Sequence, residues 1–273
     1  MTSKRVVVLI IYKLKQKNKM LRRYLIGGNW KCNGSMDFAK KFPTEVLKPL
    51  AFDANRVEVV VAPSTVHIST VQQALAGTQV QLSTQNSSLF GAGAYTGETS
   101  PQMIRDMGLG WTILGHSERR WVFGETDEVV AQKVKNAVDN ELQVMACIGE
   151  KLEEREAGQT DDVNARQLAA IRELVDDWSN IVVASEPVWA IGTGKVATPD
   201  QAQEAHVAIR SWLKANVSAE AADKTRILYG GSVNDKNAGE LINQPDIDGF
   251  LVGGASLKDA FKDIVKACND HRQ

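Results

Sequence analysis

Cysteine is scarce in this chain, and its scarcity excludes a disulfide framework. The three cysteines, Cys32, Cys147 and Cys268, are far apart and odd in number, so they indicate neither a set of disulfides nor paired metal ligands. The four histidines also lack the spacing of metal ligands. We therefore expect a protein of a reducing compartment that has no metal site.

The chain also lacks a strong net charge and a long hydrophobic run. Its 32 basic and 33 acidic residues leave a net charge of −1, which gives no reason to expect a nucleic acid or an anionic membrane as a partner. The apolar run at residues 6–11 is far too short to span a bilayer. With 43% hydrophobic and 24% charged residues, the composition is that of a globular protein.

The first 23 residues contain eight basic residues and no acidic one. No small-residue cleavage site follows them, so a secretory signal is weakly supported. We expect residues 1–20 to be a basic extension that is disordered or processed, or that precedes a true start at Met20. Residues 21–273 are expected to form one catalytic domain. An organelle address is the alternative interpretation of the extension.

From residue 24 onward, short apolar strands alternate with amphipathic helices. Several strands are apolar on consecutive residues, which is typical of parallel strands buried on both faces. Ser100 and Thr198 each precede a proline and predict helix starts, whereas Pro43 interrupts the first helix pattern. The predicted strands are residues 24–28, 57–62, 80–85, 111–114, 144–148, 181–185, 226–229 and 249–252.

Eight such units in about 250 residues predict an α/β protein with a single (β/α)8 barrel, the TIM barrel fold. A doubly wound sheet is the competing arrangement. However, no G-x-G-x-x-G motif opens the first strand–helix turn, and no linker or change of composition marks a second domain. The polar motifs follow the strands, as they do in barrel enzymes.

Glu186 directly follows the sixth predicted strand and begins an unusual loop. Pro187 stiffens the start of this loop, Gly194 loosens its end, and its tip at residues 189–191 is apolar. A carboxylate followed by a loop that excludes water predicts a general base whose reactive intermediate is shielded. An ordinary loop beside a solvated glutamate is the less favoured interpretation.

Other strand ends carry polar residues that suit a small anionic substrate. Lys31, close to Asn29, can place a positive charge in the barrel mouth, although this segment taken alone favours a surface lysine. His116 can donate a hydrogen bond from a neutral ring, because the start of a helix disfavours protonation; a structural histidine is the alternative. Glu118 is expected to orient its neighbours, to pair with Lys31 or an arginine, or to form a plain structural ion pair.

Glycine pairs follow the last two predicted strands. Gly230-Gly231-Ser232 follows the seventh strand, and Gly253-Gly254 follows the eighth. Glycine leaves backbone N–H groups free of side-chain obstruction, and such groups bind phosphate. Each pair alone is a weak signal, since most glycine pairs are turns. Two pairs after these two strands predict the phosphate site that is common in this barrel class.

Six segments in order make the chain resemble the triosephosphate isomerase family from Tyr24 to the C-terminus. Any one of them could arise by chance, but together they form a specific match. The segments are residues 28–31 (Gly-Asn-Trp-Lys), 95–98 (Tyr-Thr-Gly-Glu), 114–120 (Leu-Gly-His-Ser-Glu-Arg-Arg), 186–195 (from Glu186 to Lys195), 229–232 (Tyr-Gly-Gly-Ser) and 251–256 (Leu-Val-Gly-Gly-Ala-Ser).

The resemblance implies interconversion of dihydroxyacetone phosphate and D-glyceraldehyde 3-phosphate in the cytoplasm, with no cofactor and no metal. Glu186 would be the catalytic base, and neutral His116 would polarise the carbonyl and move protons between the oxygens. The other residues that the resemblance implies are Lys31 and Asn29 for binding the substrate and the enediolate, Glu118 as a supporting acid, and Gly192, Ser232, Gly253 and Gly254 for holding the phosphate.

The resemblance further implies a homodimer. The loop at residues 86–99, which begins at Asn86 and ends at Thr99, would reach into the active site of the neighbouring subunit, with Thr96 near its tip. Cys32 falls where family members pack against the partner's loop. Dimerisation would then support activity.

Two other functions stay open at this point. Another barrel isomerase or lyase of sugar phosphates would share the phosphate site but would need different bases. A non-catalytic homologue could act as a binding protein, and it would tolerate the loss of Glu186, His116 or Lys31, all of which are present.

Overall fold

The computed structural model describes residues 22–190 and 197–271 of the chain. Within these residues, eight parallel strands pair in chain order, and β1 also pairs with β8, so the sheet closes into a barrel. The predicted (β/α)8 barrel is therefore confirmed, and the doubly wound sheet is excluded. The strands are β1 (Tyr24–Asn29), β2 (Val57–Ala62), β3 (Gln81–Thr84), β4 (Trp111–Leu114), β5 (Gln143–Ile148), β6 (Ile181–Ser185), β7 (Ile227–Tyr229) and β8 (Gly249–Val252).

Helices connect the successive strands. Among residues 22–190 and 197–271, no helix is both long enough and apolar enough to cross a membrane. The α-helices of the described residues are α1 (Met36–Phe42), α2 (Ile68–Ala74), α3 (Pro101–Asp106), α4 (Ser117–Trp121), α5 (Asp127–Asp139), α6 (Leu152–Glu156), α7 (Thr160–Leu174), α8 (Pro199–Asn216), α9 (Ala219–Lys224), α10 (Ala238–Ile242) and α11 (Ala260–Asp270).

Local sequence signals explain where several helices begin. The side chain of Ser100 accepts the N–H of Met103 at the start of α3, and that of Thr198 accepts the N–H of Gln201 at the start of α8. Both predicted helix starts are therefore confirmed. The predicted interruption at Pro43 takes a different form, because a π-helical turn (Pro43–Leu47) continues directly from α1. Proline has no N–H to donate to the preceding helical turn, and the wider π-helical turn accommodates the missing hydrogen bond.

Both faces of the strands are buried, as their consecutive apolar residues predicted. In β5, Met145 and Cys147 belong to the apolar cluster inside the barrel, whereas Val144 and Ala146 belong to the cluster between the sheet and the helices. Strand pairing runs in register to the carboxyl ends of β4, β5 and β6. The residues that follow these three strands therefore meet at one end of the barrel.

A buried histidine ties α8 to the chain before β8. His206 is fully buried, and its Nδ1 lies 3.1 Å from the backbone oxygen of Asp246. Burial lowers the pKa of His206 from 6.5 to about 4, against a smaller raising effect of the Asp246 carbonyl. The ring is therefore neutral in the folded protein near pH 7, and its Nδ1–H donates to that oxygen.

We expect His206 to make the folded protein less stable as the pH falls from about 6.5 toward about 4. The unfolded chain binds a proton on this ring at a higher pH than the folded chain does, so the destabilisation is absent above the unfolded pKa and complete below the folded one. It amounts to roughly 3 kcal/mol at most, since one pKa unit is worth about 1.4 kcal/mol. Urea unfolding over a pH series should show a shallower pH dependence for His206→Gln than for the parent; parallel curves would contradict this expectation.

Candidate active site

The carboxylate of Glu186 directly follows β6 and is confined by both neighbouring strands. Its backbone N–H donates to the oxygen of Ile148, the last residue of β5, over 2.7 Å. A Cβ atom on Gly149 would lie 1.7 Å from the Glu186 carbonyl oxygen, and one on Gly230 would lie 2.8 Å from its Cγ. A side chain at either glycine would collide with the glutamate, so the two glycines allow the strands to enclose it closely.

His116 caps α4 and faces Glu186. Its Nδ1 accepts the backbone N–H of Glu118 over 3.2 Å, and its Nε2 lies 3.0 Å from Oε1 of Glu186. Because Nδ1 is an acceptor, the proton of the neutral ring is on Nε2 and points toward the carboxylate. The other carboxylate oxygen, Oε2, accepts the backbone N–H of Ser117 over 2.8 Å.

The two facing groups shift each other's pKa. Burial raises the pKa of Glu186, but the neighbouring His116, the Ser117 N–H and Lys31 lower it by more, so the net pKa is below the usual value. Burial lowers the pKa of His116, but the Glu186 carboxylate raises it by more. The N–H bonded to Nδ1 opposes protonation of the ring, because a protonated Nδ1 cannot accept it. Once the carboxylate turns away, the raising influence is withdrawn and the ring is a neutral donor.

A left-handed turn brings the ammonium group of Lys31 to the same place. Lys31 has a φ of 53°, which is uncommon for a residue other than glycine. Asn29 is the last residue of β1, and its Oδ1 accepts the Lys31 N–H over 2.9 Å. The side chain of Gln85 donates to the Lys31 oxygen over 2.8 Å. Nζ of Lys31 lies 2.7 Å from Oε1 of Glu118, which is one of the partners suggested by the sequence.

The loops after β7 and β8 form the opposite wall of a cavity of about 430 Å³. A Cβ atom on Gly253 would lie 3.4 Å from Cε of Lys31, so the loop after β8 passes directly beside the side chain of Lys31. The hydroxyl of Ser232 donates to the oxygen of Ala190 over 2.6 Å and thereby joins the loop after β7 to the chain after Glu186. Seven of the predicted site residues line the cavity: Asn29, Lys31, His116, Glu186, Ser232, Gly253 and Gly254.

The described start of the loop after Glu186 is anchored to the loop after β5. Val188–Ala190 forms a 3₁₀ turn. The indole N–H of Trp189 donates to Oε1 of Glu150 over 2.8 Å, and the guanidinium carbon of Arg155 lies 4.7 Å from the centre of the indole ring. The sequence analysis missed Glu150 and Arg155; the only signal for Glu150 is its place after a strand. Several residues named from the sequence lie outside the described part of the chain: Met20, Ile191, Gly192, Gly194 and Lys195.

Arg120 is a third residue for which the sequence predicted no role of its own. Its guanidinium group donates to the oxygens of Gly115 and Cys147 over 2.8 and 3.1 Å and to the carboxylate of Asp127 over 2.6 Å. These bonds join the residue before His116 to β5 and to α5. Arg120 therefore holds the backbone before His116 in place relative to β5 and α5.

The arrangement is suited to acid–base chemistry on a small anion. One cavity contains a buried carboxylate, an imidazole that donates from Nε2 and an ammonium group. A carboxylate with a low pKa can accept a proton, the imidazole can donate to an oxygen, and the ammonium group can stabilise negative charge that develops during a reaction.

We expect the carboxyl group of Glu186 to titrate below an ordinary glutamate, and we expect its pKa to rise in His116→Leu, because the imidazole is the largest of the lowering influences. The titration can be followed by NMR of protein labelled with carboxyl-¹³C glutamate, with Glu186→Gln identifying the signal. Glu173→Gln is the control, since Glu173 is an exposed carboxylate on α7 and does not line the cavity. An unchanged pKa in His116→Leu, or an equal rise in the control, would contradict the expectation.

Comparison with known proteins shows to which family this chain is related. A family model described as "Triosephosphate isomerase" matches residues 24–268. The chloroplastic triosephosphate isomerase of Fragaria ananassa is 54% identical over 246 residues, which cover 90% of this chain and 77% of the relative. The cytosolic triosephosphate isomerase of Oryza sativa subsp. japonica is 52% identical over 248 residues (91% and 98%). The chloroplastic enzyme of Arabidopsis thaliana is 56% identical over 236 residues (86% and 74%). The chain therefore belongs to the triosephosphate isomerase family.

Proposed function

We propose that the protein interconverts dihydroxyacetone phosphate and D-glyceraldehyde 3-phosphate by moving a proton between adjacent carbons through an enediolate. The observation that carries the proposal is the 3.0 Å contact between the Glu186 carboxylate and Nε2 of His116, in a cavity that Lys31 also lines. The relatives support this choice of substrate, since they are named triosephosphate isomerases. The protein is then an intramolecular oxidoreductase of the aldose–ketose isomerase class.

In the proposed reaction, Glu186 turns from Ser117 toward the substrate and removes a proton from the carbon beside the carbonyl group. The lowered pKa of Glu186 keeps the carboxylate ionised near pH 7. The carboxylic acid that forms then returns the proton to the neighbouring carbon, so no net proton is consumed. A positioned base contributes about 10²–10⁴-fold to the rate, and stabilisation of the enediolate contributes much of the remainder.

The residues around the base stabilise the charge that develops on the substrate oxygens. Neutral His116 donates from Nε2 to the carbonyl oxygen and moves protons between the two oxygens. The ammonium group of Lys31 and the amide of Asn29 bind the substrate and its enediolate. Glu118 supports both partners, since its carboxylate holds the ammonium group and its N–H keeps Nδ1 of His116 unprotonated.

The far end of the substrate is a phosphate group, for which we propose Gly192, Ser232, Gly253 and Gly254 as the binding residues. An enediolate phosphate that meets water can eliminate its phosphate. We therefore propose that the loop after Glu186 is a lid whose closure protects the intermediate. The bond between Trp189 and Glu150 and the bond between Ser232 and Ala190 support a lid that docks over the cavity. No cofactor takes part in these steps.

The two alternative functions are less favoured. A different sugar-phosphate isomerase or lyase would need other bases than the pair of Glu186 and His116. A binding protein without activity would not need all of these groups in one cavity.

Turnover of the parent and of Glu186→Asp with D-glyceraldehyde 3-phosphate tests the proposal. The shorter side chain keeps its charge but withdraws the carboxylate from the reacting carbon, so we expect kcat to fall by about 10²-fold while KM changes little. A coupled assay for dihydroxyacetone phosphate gives both constants. Glu173→Asp, which alters an exposed carboxylate on α7, is the matched control. Absence of turnover by the parent would refute the function, and equal losses in the two variants would refute the role of the base.

We also propose a homodimer that forms through the loop at residues 86–99. At the base of this loop, the N–H of Ser88 donates to the oxygen of Thr99 over 2.8 Å. Farther out, the rings of Phe90 and Tyr95 stack with their centres 4.2 Å apart, although both side chains are more than 40% exposed. The loop therefore has a defined shape of its own while its aromatic surface is uncovered, which suits insertion into another protein surface.

A second cavity offers a place for that loop. It has a volume of about 370 Å³, lies beside Lys31, and is lined by Cys32, Asn86 and the exposed Phe123. A loop from a second copy would pack there against the catalytic lysine, which explains how dimerisation would support activity.

Light scattering and sedimentation over a range of concentrations test the dimer. We expect the parent to be dimeric and Thr96→Glu to dissociate at a concentration at least about tenfold higher, because the new charge would lose solvation at the interface, and tenfold corresponds to about 1.4 kcal/mol. Val207→Glu, which places the same charge at an exposed apolar position of α8, is the control. A monomeric parent, or equal behaviour of both variants, would contradict the proposal.

We place the protein in the cytoplasm, with organelle targeting by residues 1–20 as the alternative. The relatives include cytosolic and chloroplastic enzymes, so the family is compatible with either location. The basic extension precedes the family match, which begins at residue 24.

A further inference from the structure

We infer that Gln167, on α7, is a positioning residue for the catalytic base and acts through the backbone of Gly149. Gln167 touches neither the cavity nor His116 in the contacts of the described residues. The inference rests on the proposed role of Glu186, since it states what holds the backbone of that residue in place.

The amide of Gln167 serves both polar backbone groups of Gly149. The Gly149 N–H donates to Oε1 of Gln167 over 2.8 Å, and Nε2 of Gln167 donates to the Gly149 oxygen over 3.3 Å. The last paired residues of β5 and β6 are Ile148 and Ser185, so Gly149 lies one residue beyond the ladder. Buried backbone groups need partners, and here one side chain supplies the two bonds that a further strand residue would otherwise make.

Gly149 in turn is in contact with the backbone of the base. A Cβ atom on Gly149 would lie 1.7 Å from the oxygen, 2.6 Å from the carbonyl carbon and 3.2 Å from the Cα of Glu186. With so little space between the two backbones, displacement of Gly149 displaces Glu186. A misplacement of about 1 Å at a reacting group can cost about 10²-fold in rate, so the bonds of Gln167 bear directly on the position of the carboxylate.

The side chain of Gln167 lies in a buried, apolar environment, where an amide is stable only because of these bonds. The side chain is 1% exposed, and the next residue on the core side of α7, Leu168, is fully buried in the apolar cluster. A buried amide is unfavourable unless both of its polar ends are bonded. An apolar residue of similar length would fill the same space but would leave Gly149 unpaired.

Steady-state kinetics of Gln167→Met test the inference, because methionine has a similar length and makes neither bond. We expect kcat to fall by about 10- to 100-fold, with KM within about threefold of the parent, since the phosphate loops and Lys31 are unchanged. In the Glu186→Asp background, the base is already withdrawn. There the same substitution should lower kcat by less than about threefold, because the effects of two substitutions that act through the same group are not additive.

Leu168→Ala on the same helix is the control for a merely structural effect. It should lower the midpoint of urea unfolding at least as much as Gln167→Met does and leave kcat within about twofold of the parent. Unchanged kcat in Gln167→Met, a loss confined to KM, or an undiminished loss in the Glu186→Asp background would overturn the inference.

A readout that does not depend on turnover separates this inference from the proposed function. The carboxyl-¹³C signal of Glu186 should move in Gln167→Met and stay in place in Leu168→Ala. A parent without isomerase activity overturns the proposed function alone, whereas a Glu186 signal that is the same in the parent and in Gln167→Met overturns the positioning role.

Discussion

The site depends on the close confinement of the backbone of Glu186 and the base of its side chain between the segments that follow β5 and β7. Gly149 and Gly230 allow the backbones beside Glu186 to approach it more closely than any residue with a Cβ atom would permit. This approach requires the parallel strands to end at the same level, which barrel closure provides. The imidazole of His116 and the ammonium group of Lys31 are then arranged around a group whose backbone is fixed.

Burial of this carboxylate is possible because the protein bonds both of its oxygens. An unpaired buried charge would be strongly destabilising, but one oxygen accepts the N–H of Ser117 and the other lies against His116. In the proposed reaction, the side chain turns toward the substrate and exchanges these bonds for contact with the reacting carbon. The same donors therefore stabilise the resting protein, while the carboxylate at the end of the Glu186 side chain stays able to move.

Much of the fold was predictable because its signals are local. Consecutive apolar residues identified the parallel strands, and hydroxyl side chains before proline identified the starts of α3 and α8. The strand ends were less certain: β1 includes Asn29, and β3 is shorter at both ends than predicted, since ladder pairing rather than hydrophobicity decides where a strand stops. At Pro43 the helical path continues as a π-helical turn, which the sequence pattern does not reveal.

The site was predictable in part for the same reason. Glu186, His116 and Lys31 follow strands, and barrel closure brings strand ends together. Arg120 and Gln167 gave no signal of their own and Glu150 gave only its place after a strand, because the sequence does not identify the groups to which these side chains bond; Gln167 and Gly149, for example, are separated by 18 residues. Their contributions depend on which buried backbone groups lack a partner, and that is decided only when the whole barrel is assembled.

The confinement of Glu186 by two glycines also limits how this scaffold can change during evolution. A mutation that enlarged either neighbouring residue would displace Glu186, so a change toward longer or bulkier substrates would have to begin elsewhere in the cavity. The loops after β7 and β8 line the opposite wall of the cavity, so substitutions there would alter specificity without displacing Glu186.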